Sequence, residues 1–241
     1  MLDRPDDGNA LDLELVARLR TAIDEAEAAE HVRAIVVRGA GRLFCGGGDI
    51  NAMLAADDPA DYVRQLADSL SQLATAMAAS RLPMIAVVDG PAAGAGLGLA
   101  LNADVVLAGP RAAFVSAYTR VGLAPDFGVS AALIRAAGAQ RARALILSNR
   151  TLDGAEAVAF GIAAGCAATD DELGSLVAEL TTELVAAPAA TIAAVKRILV
   201  DPDHPAELQA EVEVAAELAA QEETLDRLRA FASRRPRRQP G

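Results

Sequence analysis

The sequence predicts an α/β fold, on three observations. Amphipathic helical stripes alternate with short, wholly apolar runs. A glycine cluster follows each of the first two runs. From about Gly128 onward the patterning is helical alone. Apolar residues three or four apart line one face of a helix. A continuous apolar run bounded by turn residues fits a strand covered on both faces, as in a parallel sheet. Helices alternating with such strands imply a layered α/β core.

Leu11, Leu15, Leu19 and Ile23, set among Glu14, Arg18, Asp24 and Glu25, predict the first helix. Ala34-Ile35-Val36-Val37 predicts a fully buried strand. The pair then repeats. Leu66, Leu70, Leu73 and Met77 predict a helix, and Met84 to Val88 a second buried strand. Val105-Val106-Leu107 is a third strand candidate. Val158 to Ala163 and Thr181 to Leu199 predict helices, with a break at Pro188. Leu208 to Phe231 reads as one long Glu-rich amphipathic helix, preceded by the linker Asp201-Pro202-Asp203-His204-Pro205. The expected organisation is an α/β core over residues 1–200. A helical region with a basic tail follows over residues 201–241, without a long flexible linker between them.

A chain of 241 residues that is 53% hydrophobic can bury a substantial core. With aromatics at 3% and no Trp, that core must be built from aliphatic side chains. The net charge of -11 argues against nucleic acid as the main partner. The cluster Arg234-Arg235-Pro236-Arg237-Arg238 is expected as a solvated tail, with anion binding as the alternative. Cys45 and Cys166 are isolated and lack CxxC spacing, which points to a reduced, cytoplasmic setting. Charges scattered through Met1 to Leu13 leave no signal peptide. No apolar run of about 20 residues predicts a membrane span. His31 and His204 are expected at the surface, and no Cys/His/Asp cluster has metal-ligand spacing.

The two glycine loops carry the chemical signal. The first runs from Gly39-Ala40-Gly41 to Cys45-Gly46-Gly47-Gly48-Asp49-Ile50, and the second spans Gly90 to Gly98. Each lies between a buried strand and an expected helix. Two backbone N–H groups from such loops, aimed at one point, would stabilise an oxygen that gains charge. The alternative is that the glycines serve turns and close packing only. A dinucleotide fingerprint fails, because Gly94-x-Gly96 is followed by Leu99 where a third glycine belongs.

The segments GNALDLELVARLRTAIDEAEAAEHVRAIVVRGAGRLFCGGGDI and PMIAVVDGPAAGAGLGLALNADVVLAGPRAAF resemble the two motif regions of the enoyl-CoA hydratase/isomerase (crotonase) family. VGLAPDFGVSAAL and ALILSNRTLDGAEAVAFGIA resemble the segments that follow, so the resemblance runs from about Leu2 to Phe231. It implies a spiral β-β-α core with a C-terminal helical trimerisation region, in a homotrimer or a dimer of trimers. It also implies an acyl-CoA thioester ligand, with coenzyme A as part of the substrate and no separate cofactor. The oxyanion donors fall on the N–H groups of Gly48 and Ala95. Gly46 would offer its carbonyl to the adenine, Asp49 and Ile50 would continue the CoA-facing segment, and Arg42 could reach a CoA phosphate or stand as a surface charge. Cys45 reads as a packing residue. Members of the family usually carry a β-hairpin ahead of the LDRP segment, whereas this sequence starts at Met1-Leu2; an exposed sheet edge, a misassigned start and a tolerated loss are the alternatives.

Two departures define the expected activity. Hydratases of the family carry glutamates where this chain has Gly98 and Tyr118. Glycine supplies no acid or base, and a tyrosine with a pKa near about 10 is a poor base at neutral pH. Hydratase activity is therefore expected to be weak or absent. Asp126, in the context PDFG, matches the acid/base of isomerase-like members, with N-capping of the next helix as the alternative. Burial among Leu123, Ala124, Phe127 and Val129 would raise its pKa. Tyr118 is expected to line the pocket. The implied reaction shifts a 3-enoyl-CoA to the 2-enoyl-CoA through a dienolate. A silent acyl-CoA-binding protein and a hydratase with a non-standard acid/base are the alternatives.

Overall fold

The computed structural model describes residues 1–199 and 204–233. The linker residues Asp201 to Asp203 and the basic cluster Arg234 to Arg238 lie outside them. Four strands form a parallel sheet: β1 (Ile35–Arg38), β2 (Met84–Val88), β4 (Val105–Ala108) and β7 (Gly165–Cys166), in the order β1-β2-β4-β7. A second sheet holds β3 (Pro91–Ala93), β5 (Ala113–Val115) and β6 (Leu152–Asp153). β3 and β5 are parallel, and β6 runs antiparallel to β5.

The two sheets are linked by chain order. β2 passes through Asp89-Gly90 into β3, and β4 passes through residues 109–112 into β5. The chain after β1 makes a one-rung bridge from Cys45 to Ala92 of β3. Each turn thus places a strand in the first sheet, a short strand or bridge in the second, then a helix. This is a β-β-α spiral.

Helices cover both faces. α1 (Leu13–Ala28) is capped by Asp12, whose side chain accepts from Leu15 N at 2.7 Å. α3 (Pro59–Ala79) starts with Pro59 behind the cap Asp58, and buries Val63, Leu66, Leu70, Leu73 and Met77 in one stripe. Each such side chain contributes about 1.5–3 kcal/mol on burial. On the other face, Leu173 and Val177 of α8 (Asp170–Ala186) pack on Ile85, Val87 and Leu107. β2 is therefore buried at every position. α9 (Ala189–Leu199) follows the break at Pro188 and is pinned by Lys196, whose ammonium bonds Asp104 at 2.7 Å and the Leu82 carbonyl at 2.9 Å. Among the described residues no single helix is long and apolar enough to cross a membrane. α8 and α9 reach that length only as a pair bent by 107°.

Four sequence expectations are corrected. The β1 run is half-buried rather than fully buried, because β1 is the sheet's edge and only Leu2 bridges its outer side, at Gly39. The helix expected at Val158 to Ala163 is α7 (Gly154–Ala159), started by an Asp153–Glu156 capping box and ended before Gly161 in left-handed backbone. The expected long C-terminal helix is two, α10 (His204–Ala219) and α11 (Glu222–Ser233). No glycine or proline marks that break. Thr224, almost fully buried, donates to the Gly122 carbonyl at 3.0 Å and draws α11 onto the body of the protein. The chain beyond Gly128 is not helical alone: β6 and β7 lie there, each of two residues and, like β3 and β5, too short to show a period.

Candidate active site

The first glycine loop is held by Asn9, a fully buried residue in left-handed backbone (φ 54°). Its Nδ2 donates to the carbonyls of Ala40 (2.9 Å), Leu43 (2.8 Å) and Phe44 (3.2 Å), and its Oδ1 accepts from Arg4 N at 3.0 Å. Gly46 N donates to the Gly8 carbonyl at 2.9 Å. The second loop is held by contact. Cys45 N donates to the Pro91 carbonyl, and Ala93 N to the Cys45 carbonyl, at 3.1 and 3.0 Å. A Cβ on Gly96 would overlap that Cys45 carbonyl. Gly94 caps α4 (Ala95–Leu101) with φ 54°.

This pairing brings the amides of Gly48 and Ala95 to one cavity of about 180 Å³. Among the described residues neither amide donates to a protein acceptor. Met53, Val63, Leu66, Leu70, Val115 and Val121 make most of the cavity apolar. Phe231 of α11 and Arg120 also line it.

The polar side chains of the cavity wall are paired. Tyr118 begins a single 3₁₀ turn (Tyr118–Val121) after Ala117, which has φ 63°. The Tyr118 hydroxyl donates to Asp126 Oδ1 at 2.5 Å. The backbone N–H of Asp126 itself also bonds the carboxyl. Desolvation by the apolar wall pushes the Asp126 carboxyl up to about 7. The bond from Tyr118 opposes that shift, and the charge of Glu211 adds to it. Burial, then Asp126, raises the Tyr118 hydroxyl well above its ordinary value, so it remains a phenol that donates.

Several expectations meet a definite outcome. Capping by Asp126 does not occur: Gly128 caps α5 (Val129–Ala137), and the cap's acceptor is Glu211 of α10. Asp49 is buried and does not line the cavity. Its Oδ1 caps α2 (Ile50–Ala55) through Asn51 N and Ala52 N, and its Oδ2 meets Arg4 at 3.0 Å, so its carboxylate is already engaged. Ile50 and Gly46 do line the cavity, whereas Arg42 is exposed and lies outside its wall. Cys45 is buried, its thiol donates to the Asn9 carbonyl at 3.1 Å, and burial pushes it up to about 12, so it packs rather than ionises. His31 is exposed.

Gly98 has a specific neighbour. A Cβ there would stand 2.9 Å from the Phe127 ring, so the phenyl fills the space that a side chain at 98 would need. Phe127 has φ 56° and is almost fully buried. Sequence reasoning missed the Tyr118–Asp126 bond, the Phe127 filling, Arg120 and Glu211. The residues of the first two were visible, but the turn that joins them depends on left-handed backbone at Ala117, Gly122, Phe127 and Gly128. Arg120 follows Tyr118 in that turn, and Glu211 is remote in sequence. Among the described residues no group of three or more His, Cys, Asp or Glu could hold a metal ion.

The β-β-α spiral with two glycine-loop amides over an apolar cavity defines a crotonase-fold protein. A family model described as enoyl-CoA hydratase/isomerase matches residues 1–238. A probable enoyl-CoA hydratase of Mycobacterium tuberculosis, EchA14, is 43% identical over 188 residues, covering 77% of this chain and 69% of its own length. The 1,2-epoxyphenylacetyl-CoA isomerase of Escherichia coli is 36% identical over 165 residues, covering 67% and 62%. The crystal structure of an enoyl-CoA hydratase from Mycobacterium avium subsp. paratuberculosis superposes with a TM-score of 0.84 at 31% identity, covering 94% of this chain and 91% of that one. The chain belongs to the enoyl-CoA hydratase/isomerase family.

Proposed function

We propose that the protein binds an acyl-CoA thioester and moves a double bond from the 3- to the 2-position. The observation that carries this reading is the cavity itself: two free amides, one carboxyl near neutrality and, among the described residues, no second carboxylate on its wall. The thioester oxygen accepts from Gly48 and Ala95 N–H. Asp126 Oδ2 takes a proton from C2, the C–H electrons pass into the thioester, and the dienolate oxygen sits on the two amides. Asp126 then returns the proton to C4, and the double bond forms between C2 and C3. Tyr118 orients the carboxylate by donating to its other oxygen. No water enters the balance, and Phe127 occupies the place beside Gly98.

The hydratase name of the Mycobacterium tuberculosis relative favours a second reading, in which Asp126 activates water instead. One assay separates them. Native protein and Asp126→Asn are given 3-hexenoyl-CoA and crotonyl-CoA, and the products are resolved by chromatography. Isomerisation that falls about 10²- to 10⁴-fold in the variant supports the proposal. Hydration of crotonyl-CoA as the faster native reaction supports the second reading. Binding of both esters without any product would leave a silent acyl-CoA-binding protein.

A further inference from the structure

We propose that Glu211, on α10, is a positioning residue: it pins the Phe127–Gly128 peptide group, one residue beyond Asp126, and so fixes where the Asp126 carboxyl stands. Its part in turnover rests on the reading of Asp126 given above. The first amides of any α-helix have no acceptor within the helix. Sequence supplies α5 with no local capping side chain, since its cap is Gly128. Glu211 fills that gap from 83 residues away in sequence. Its Oε2 accepts from Gly128 N at 2.6 Å, and its Oε1 accepts from Ser130 N at 3.1 Å and from the Ser130 hydroxyl.

The other end of the same peptide is held too. Asn102 Nδ2, at the end of α4, donates to the Phe127 carbonyl at 2.7 Å. Phe127 C=O and Gly128 N–H belong to one peptide group, so one plane is fixed from α4 and from α10. The residues on either side of it have left-handed backbone, φ 56° and 76°. For a phenylalanine that conformation is unfavourable and persists only where the surroundings enforce it. Asp126 is the next residue back, so a peptide that relaxed would carry the carboxyl away from Tyr118 and the cavity.

Glu211 also acts by charge. It adds to the upward push on Asp126 and on Tyr118 across the turn. Glu207, one turn earlier on α10, acts on Glu211 by charge and is itself met by Arg135 of α5 at 2.8 Å. Burial raises the Glu211 carboxyl itself, against the three donors from Gly128 and Ser130.

The test uses Glu211→Gln and Ser130→Ala in the full chain. Carbon-13 NMR of labelled aspartate reads the Asp126 titration, and initial rates with 3-hexenoyl-CoA read kcat and KM. In Glu211→Gln the Asp126 midpoint should fall by about half a pH unit or more. The value of kcat should drop about 10- to 100-fold, with KM within about twofold. Ser130→Ala keeps the charge and should leave the midpoint in place. A folded Glu211→Gln protein with unchanged midpoint and kcat would overturn the proposal. So would a loss of activity that only tracks the folded fraction in a thermal melt. If native protein turns over no 3-enoyl-CoA, the role given to Asp126 in catalysis falls. The NMR midpoint alone then decides for or against Glu211.

Discussion

The two glycine loops deliver one amide each to the same cavity, but they are built by different means. The first is tied by side-chain hydrogen bonds: Asn9 gathers three carbonyls, and Arg4 bridges to Asp49. Among the described residues the second has one side-chain tie, from Asn102 Nδ2 to the Gly98 carbonyl at 2.9 Å. It is otherwise fixed by the absence of side chains, with Gly96 against the Cys45 carbonyl and Gly98 against Phe127. The first loop is close-packed as well, at Gly39 against the Leu43 and Phe44 carbonyls, so it fails when a bond is removed or an atom is added, whereas the second fails chiefly when an atom is added.

That contrast fixes the order of effects. Gly96→Ala sets a methyl against backbone that cannot move without breaking the Cys45–Ala92 bridge, so destabilisation of about 3 kcal/mol or more is expected in chemical denaturation. Asn9→Ala leaves three carbonyls, that of Phe44 buried and those of Ala40 and Leu43 part-buried, without their donor and should cost about 2–3 kcal/mol. Equal tolerance of alanine at 9 and 96 would break the distinction. Gly98→Ala meets a ring rather than backbone and should cost about 1–2 kcal/mol, part of it recovered in a double variant with Phe127→Leu. No second change at a side chain should rescue Gly96→Ala.

The third arm of the site, Asp126, inverts the sign. Its folded-state carboxyl is raised to about 7 from an ordinary 3.8, so the native state binds the proton more tightly than the unfolded state. Its contribution to stability is present below the unfolded value and is lost as pH rises through about 7. Asp126→Asn should therefore stabilise the protein by up to about 4 kcal/mol at pH 8, from a shift of about three units at about 1.4 kcal/mol each, and by less than about 1 kcal/mol at pH 4. Thermal melts of the two proteins at both pH values check this.

What the sequence reveals follows the same division. The buried strands β2 and β4, the α3 stripe and both glycine loops are legible, because each is a local pattern of residue type. Gly98, Tyr118 and Asp126 also stand out, through resemblance to a family pattern. What stays hidden depends on tertiary backbone geometry. The hydroxyl of Tyr118 reaches Asp126 across a turn with left-handed backbone at Gly122, flanked by left-handed Ala117 before it and Phe127 and Gly128 after it. Glu211 lies in a Glu-rich stretch where nothing local separates a buried cap from a solvated charge. Asp49 shows the converse: placed by motif on the ligand face, it is engaged by α2 and Arg4. The break between α10 and α11 is set by Thr224 meeting Gly122, not by any local breaker.

The pH dependence of kcat/KM for 3-hexenoyl-CoA tests the role of Asp126 most directly. Native protein should show a rate that rises with pH and levels off above a single ionisation near 7, as the Asp126 carboxylate forms. That ionisation should vanish in Asp126→Asn. A profile with the same ionisation in native and variant protein would contradict the assignment of the proton transfer to Asp126.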